Sequence, residues 1–134
     1  MNIMILAAHP DDAEFSMGGT IATHTLNGDN VYLVNLTNGE PTPYGSVETR
    51  LKEAEEADRI LNIKERIIMD FPNRFLEDTI ENRKKVAAHI RKYRPDVLLV
   101  QYHVDQHPDH ISASSLGTAA RFYAKLTKSD IPGE

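Results

Sequence analysis

Two short segments of this chain bring together residues that bind metals and move protons. One reads Ala8-His9-Pro10-Asp11-Asp12-Ala13-Glu14 and the other Asp105-Gln106-His107-Pro108-Asp109-His110. Imidazole and carboxylate are the usual nitrogen and oxygen ligands of a catalytic divalent ion, most often zinc, which needs three protein ligands and an open position. His9 and Asp12, three residues apart, can clasp one face of such an ion where the chain turns after a strand, and His110 can close the third corner. Asp11 cannot easily reach the same ion beside Asp12, and is placed instead to take the proton of a metal-bound water as a general base. His107, one helical turn before His110, can face a substrate carbonyl oxygen or protonate a leaving amine. Asp109 can fix the tautomer of an imidazole, either His107 or a metal-bound ring.

Each His-Pro-Asp segment alone also reads as turn chemistry with Asp as a helix cap. Two such segments at the ends of non-consecutive strands are much harder to dismiss in that way. Arg50 and Arg74 follow post-strand loops and can hold substrate oxygens through a guanidinium fork, although an isolated arginine more often faces solvent. His24 and His89 fall within expected helices and read as surface residues. His103 takes at most a helper role.

The elements that must position these residues alternate in type. Ile3 to Ala8 is continuously apolar and reads as a buried strand. Val31 to Leu36, Ile67 to Met69 and Val97 to Val100 read as three more. Helices are expected over Ser16 to Leu26, along Val47, Leu51, Ala54 and Leu61, from a capping-box-like start at Asp78 and Glu81, and from about His110 to Leu126. Gly18 and Gly19 near the first helix start suggest that another backbone passes close by. Four strand–helix units predict an α/β, Rossmann-like, three-layer fold with a mostly parallel sheet. Strand order 3-2-1-4 makes strands one and four neighbours, with the metal site at their carboxyl ends where strand order reverses.

Composition narrows the partners. The 134 residues, expected to form one domain over 1–134, carry 15 Lys+Arg against 20 Asp+Glu and a formal net charge of −5, which argues against a nucleic-acid binder. There is no cysteine for a disulfide, thiolate site or nucleophile. No run is long enough to span a bilayer or to form the apolar part of a signal peptide, so a cytoplasmic protein without a membrane partner is expected. The dinucleotide fingerprint Gly-x-Gly-x-x-Gly, the phosphate loop, the Gly-x-Ser-x-Gly elbow and His-Glu-x-x-His are all missing.

The paired motifs Ala8-His9-Pro10-Asp11-Asp12 and His107-Pro108-Asp109-His110 closely resemble the zinc-dependent de-N-acetylase family of PIG-L and LmbE proteins. The resemblance extends through Met17-Gly18-Gly19-Thr20, Leu36-Thr37-Asn38-Gly39-Glu40 and Arg50 with Glu53-Ala54, and is nearest to the bacillithiol-biosynthesis deacetylase branch. It implies a Rossmann-like fold and zinc-dependent removal of an acetyl group from an N-acetylglucosamine-type small-molecule conjugate, with release of acetate and a free amine. By residue-wise match it makes His9, Asp12 and His110 the zinc ligands and Asp11 the general base. His107 becomes the electrophilic or acid partner, oriented by Asp109, and Arg50 touches substrate. Homo-oligomers are common in the branch. Gln106 stands where the branch usually has Arg, and family members continue past Glu134, so a C-terminally truncated form of the fold is expected. The rival readings are a metal-binding fragment without turnover that serves as a binding or assembly module, a metal-dependent hydrolase of another bond such as a phosphoester, and a nucleotide-binding domain without metal.

Overall fold

The elements alternate strictly, β1 (Asn2–Ala7), α1 (Asp12–Leu26), β2 (Asn30–Asn35), α2 (Val47–Leu61), β3 (Glu65–Ile68), α3 (Ile80–Tyr93), β4 (Val97–Val100) and α4 (Pro108–Tyr123). They come from a computed structural model that describes residues 1–133. The four strands form one parallel sheet of order β3-β2-β1-β4, as expected from the sequence. β1 lies between β2 and β4, with Ile3 opposite both Val31 and Val97. Its continuous apolar run follows from that position, because both of its faces are covered.

Alternate residues of β1 enter different cores, the consequence of a two-residue side-chain period. Met4, Leu6 and Ala8 pack with Val86 and Ala87 of α3 and with Ala113, Leu116 and Ala120 of α4. Ile3, Ile5 and Ala7 pack with Ala13 and Ile21 of α1, Val31 and Leu33 of β2, and Leu61. The result is helix, sheet, helix. Gly117 lets α4 lie close on the sheet, since a Cβ there would fall 2.7 Å from Val100 Cγ1.

Several local expectations are corrected. α1 begins at Asp12 rather than Ser16 and is kinked at Met17, whose φ of −143° and ψ of 24° are not helical. A Cβ at Gly18 or Gly19 would meet nothing within 4 Å, so no backbone crosses there. Thr79, not Asp78, caps α3 by accepting the N–H of Asn82, while Asp78 takes the guanidinium of Arg83 and the hydroxyl of Ser115. α4 starts at Pro108, which suits a first helical position because proline has no N–H to leave unpaired. On α2 only Ala54 is buried; Val47 and Leu51 are exposed, and the helix reaches its core from its C-terminal end through Leu61.

His89 is half-buried rather than on the surface, with Nδ1 lacking a hydrogen-bond partner and its ring stacked on Tyr93. His24 is also half-buried and bonds Asp29 at 2.8 Å. After α4, buried Arg91 gathers the segment that follows by donating to the carbonyls of Ala124, Leu126 and Ile131, and Ile131 joins the core. No fifth strand occurs among the described residues.

Candidate metal centre

β1 and β4 are neighbours, so the loops leaving their carboxyl ends meet. His9 and Asp12 come from the first, and His107, Asp109 and His110 from the start of α4 after the second. The ring nitrogens of His9, His107 and His110 supply ligand atoms all within 4.8 Å of one another, a group able to hold a metal ion. Asp12 lies between two of these rings, with Oδ2 3.3 Å from His9 Nδ1 and Oδ1 3.3 Å from His110 Nε2.

The hydrogen bonds around this cluster favour ligation by those two nitrogens. His9 Nε2 is 2.9 Å from Asp109 Oδ2, and His110 Nδ1 is 3.1 Å from Asp105 Oδ2. Each ring therefore rests one nitrogen on a carboxylate and turns the other toward Asp12. Carboxylate–imidazole pairs of this kind fix the tautomer and orientation of metal-bound histidines. Asp12 is itself fixed, accepting the His9 N–H at 2.9 Å and Gln101 Nε2 at 3.1 Å. A donor set of two imidazoles and a carboxylate suits zinc and other first-row ions better than calcium or magnesium.

Asp109 is almost fully buried, and its carboxylate goes to His9 rather than to His107. It also accepts the backbone N–H groups of Arg74 at 2.7 Å and Leu76 at 3.1 Å. His107 is oriented instead by the Asp109 backbone, whose N–H donates to His107 Nδ1 at 3.1 Å. That leaves the Nε2 of a neutral His107 ring as the protonated nitrogen.

Charge states follow from these contacts. Burial works against a protonated His9, but its hydrogen bonds to Asp12 and Asp109 outweigh that and hold its pKa above the usual value. Burial likewise opposes ionisation of Asp12, yet hydrogen bonds from the His9 side chain and backbone, with His110 nearby, keep its pKa low. Asp11 goes the other way. Partial desolvation in the crowded loop, with the like charges of Asp12 and Glu14, lifts its pKa despite the opposing Arg50. Adjacent carboxylates with pKa values pushed apart are suited to different tasks.

Asp11 has an unusual backbone, with φ 101°, and its side chain is 67% exposed. Arg50 reaches it from α2, with Nη2 3.6 Å from Asp11 Oδ2 and 3.0 Å from the Pro10 carbonyl oxygen. A cavity of about 300 Å³ opens beside the cluster, lined in part by Asp11, Asp12, Arg50, Arg74, His107 and His110. Every site residue expected from the sequence lines this cavity except Asp109, which lies behind His9. His103 is exposed and packs on Tyr102 away from the cluster, and Gln106 is exposed.

Sequence reasoning missed three supporting residues. Asp105 holds the His110 ring and the His107 N–H, Gln101 bridges Asp12 and the Ala8 N–H, and Asn35 Nδ2 donates to the His9 carbonyl at 2.8 Å. Only Asp105 had a signal, its place two residues before His107 in a motif already suspected.

Fold and site together define an α/β protein with a histidine–carboxylate cluster at the switch point of a parallel sheet. The sequence profile of PIG-L, described as GlcNAc-PI de-N-acetylase, matches residues 4–121, and the chain belongs to that family. It is 34% identical over 134 residues to a diacetylchitobiose deacetylase of Thermococcus kodakarensis, a match covering 92% of this chain and 50% of the relative. A probable N-acetyl-α-D-glucosaminyl L-malate deacetylase of Bacillus anthracis is 29% identical over 122 residues, covering 81% of this chain and 54% of the relative. The chain thus spans about half the length of the curated relatives it matches. Among solved structures, the conserved protein TT1542 of Thermus thermophilus superposes with a TM-score of 0.95 at 40% identity, over 98% of this chain and 60% of that one. The N,N'-diacetylchitobiose deacetylase of Pyrococcus horikoshii, complexed with an inhibitor, superposes with a TM-score of 0.85 at 27% identity, over 95% of this chain and 51% of that one.

Proposed function

We propose that this chain is a zinc-dependent amidase that removes the acetyl group from an N-acetylglucosamine-type conjugate, releasing acetate and a primary amine. The observation that carries the reading is the convergence of His9 Nδ1 and His110 Nε2 on the Asp12 carboxylate, in a chain of the PIG-L family. His9, Asp12 and His110 hold the ion in this reading, with Asp109 and Asp105 behind the two rings. The relatives' names add the substrate class, since both deacetylases act on N-acetylated amino sugars. No helix among the described residues is long and apolar enough to cross a membrane. The same reading has the protein act in the cytoplasm on a small molecule, and its net charge of −5 goes against a nucleic-acid partner.

A divalent ion at this site supplies a Lewis acid for the amide carbonyl and lowers the pKa of water. Asp11 takes a proton from the water whose oxygen adds to the carbonyl carbon. Its raised pKa suits a base that must afterwards give that proton up. His107, whose Nδ1 accepts the Asp109 N–H, donates from Nε2 toward the carbonyl oxygen as negative charge gathers there. The C–N bond then breaks, its electron pair stays on nitrogen, and the nitrogen takes a proton to leave as the amine. Arg50 lines the cavity and offers its guanidinium to sugar oxygens.

The test is primary-amine release from a panel of N-acetylglucosamine conjugates, with added zinc and with a chelator. Release that needs zinc is the expected result; no release by folded, zinc-loaded protein rejects the reading. A second reading, a metal-binding module without turnover, rests on the same convergence of His9, Asp12 and His110, which serves to hold an ion without any amide being cleaved. It predicts bound zinc and no amine release from any conjugate.

A further inference from the structure

The ladder between β1 and β4 stops at Leu6 and Val100, two residues before the fully buried Ala8. A buried N–H needs an acceptor, and that of Ala8 finds Gln101 Oε1 at 2.8 Å. The Gln101 side chain thereby stands in for a strand that has already turned away. With Oε1 engaged in this way, the other end of the amide can only donate, and Nε2 does so to Asp12 Oδ2 at 3.1 Å.

Oδ2 also accepts the His9 N–H at 2.9 Å and has His9 Nδ1 3.3 Å away, so it is crowded and filled by two N–H donors. Oδ1 takes neither of those bonds. It faces His110 Nε2 at 3.3 Å, the nitrogen of that ring which Asp105 leaves free. The two oxygens of Asp12 are therefore unlike: backbone and amide donors hold one, and the other is turned to a second metal-binding atom.

We propose that Gln101 is a positioning residue that makes Asp12 a one-oxygen ligand, through Oδ1. The inference rests on the metal centre of the reading above and not on turnover. A catalytic ion keeps a coordination position open for water or substrate, and a carboxylate bound through both oxygens competes for it. By holding Oδ2 away, Gln101 keeps that position free. It acts through Asp12, as the partners behind metal ligands do.

A crystal structure of the zinc-loaded, unaltered chain is the direct test. Asp12 Oδ1 should lie about 2.0–2.2 Å from zinc while Oδ2 stays on Gln101 Nε2. Zinc at the cluster with both Asp12 oxygens, or with Oδ2 alone, overturns the role of Gln101 and leaves the metal centre standing. Zinc elsewhere, or none, removes the metal centre and this role with it. In solution, Gln101→Met keeps much of the side chain's length and loses both of its hydrogen bonds. Its zinc affinity, measured by competition with a chelating dye, should fall about 10–100-fold. Thr37→Val is the control: Thr37 Oγ1 donates to the Ala8 carbonyl at 3.0 Å, so this change loosens the same strand end without touching Asp12, and affinity should stay nearly unaltered. Cobalt(II) in place of zinc should absorb visible light more weakly in Gln101→Met, because the freed second oxygen raises the coordination number. An undiminished affinity in Gln101→Met, an equal loss in Thr37→Val, or an unchanged cobalt spectrum overturns the proposal.

Discussion

Neighbouring aspartates with different surroundings define the chemistry at the scale of single residues. Asp12 is held by Gln101, by the His9 backbone and by two imidazoles, an arrangement suited to the ligand role proposed for it. Asp11 is mostly exposed, touched by Arg50 only at 3.6 Å, and its pKa is raised, an arrangement that leaves a carboxylate free to exchange protons. Asp11→Asn is the cleanest separation of the two roles, because asparagine tolerates a positive φ better than most residues and keeps the side-chain shape. Zinc content should stay at the unaltered level while kcat falls by about 10²–10⁴-fold, the range for loss of a general base. Unchanged kcat removes Asp11 from the mechanism, and lost zinc makes it a ligand. The convergence of His9, Asp11, Asp12, His107 and His110 on one cavity was legible because residue types able to hold a metal or move a proton recur after two strands that the sheet order makes neighbours. The destination of the Asp109 carboxylate was not, because His9 and His107 are both within its reach in sequence terms, and only the packed loop decides between them.

At the scale of elements, the loop bearing His9 and the start of α1 are held from below by Arg66 of β3. Its side chain is 5% exposed and pairs with Asp58 of α2 at 2.7 Å, with Glu14 of α1, and with Asn35 Oδ1 at 2.7 Å. Asn35 in turn holds the His9 carbonyl. Removing the charge strands two partly buried carboxylates, so Arg66→Met should lower stability by about 3–5 kcal/mol, measured by urea unfolding. A loss under 1 kcal/mol would mean that Glu14 and Asp58 find other partners or water. On α3, burial holds the His89 pKa below that of a free histidine. A group with a depressed folded pKa contributes stability above its unfolded value of about 6.5, and that stability is lost as pH falls toward the folded pKa. Unfolding free energy should therefore drop more steeply between pH 7 and 5 in the unaltered protein than in His89→Gln; parallel curves would show that His89 is neutral to folding. Apolar runs revealed the strands because β1 and β2 are covered on both faces. Arg66, Asn35 and His89 gave no such signal: a lone polar residue in a strand or helix has no period, and the partners of Arg66 come from three other elements.

For the molecule as a whole, the cluster joins parts that the chain brings together only once the sheet is complete. His9 and Asp12 follow β1, His110 follows β4, and these strands are adjacent only through the 3-2-1-4 order, 97 residues of sequence separating Asp12 from His110. An unfolded chain presents no such arrangement, so a metal that binds here binds the native state and stabilises it by mass action. At free zinc about one hundred times the Kd the stabilisation is about 2.7 kcal/mol, which for a chain of this size raises Tm by roughly 10 °C. A chelator should reverse the shift. His110→Ala should abolish most of it, since the ion then keeps only the His9–Asp12 side of its cage, whereas Asp11→Asn should leave it intact. The contrast between those two variants makes the measurement more than a stability assay: it tells ligand from base without any turnover, and it does so whether or not these 134 residues complete a substrate pocket. A shift of equal size in all three proteins would place the bound zinc elsewhere and remove the basis for reading this cluster as the metal centre.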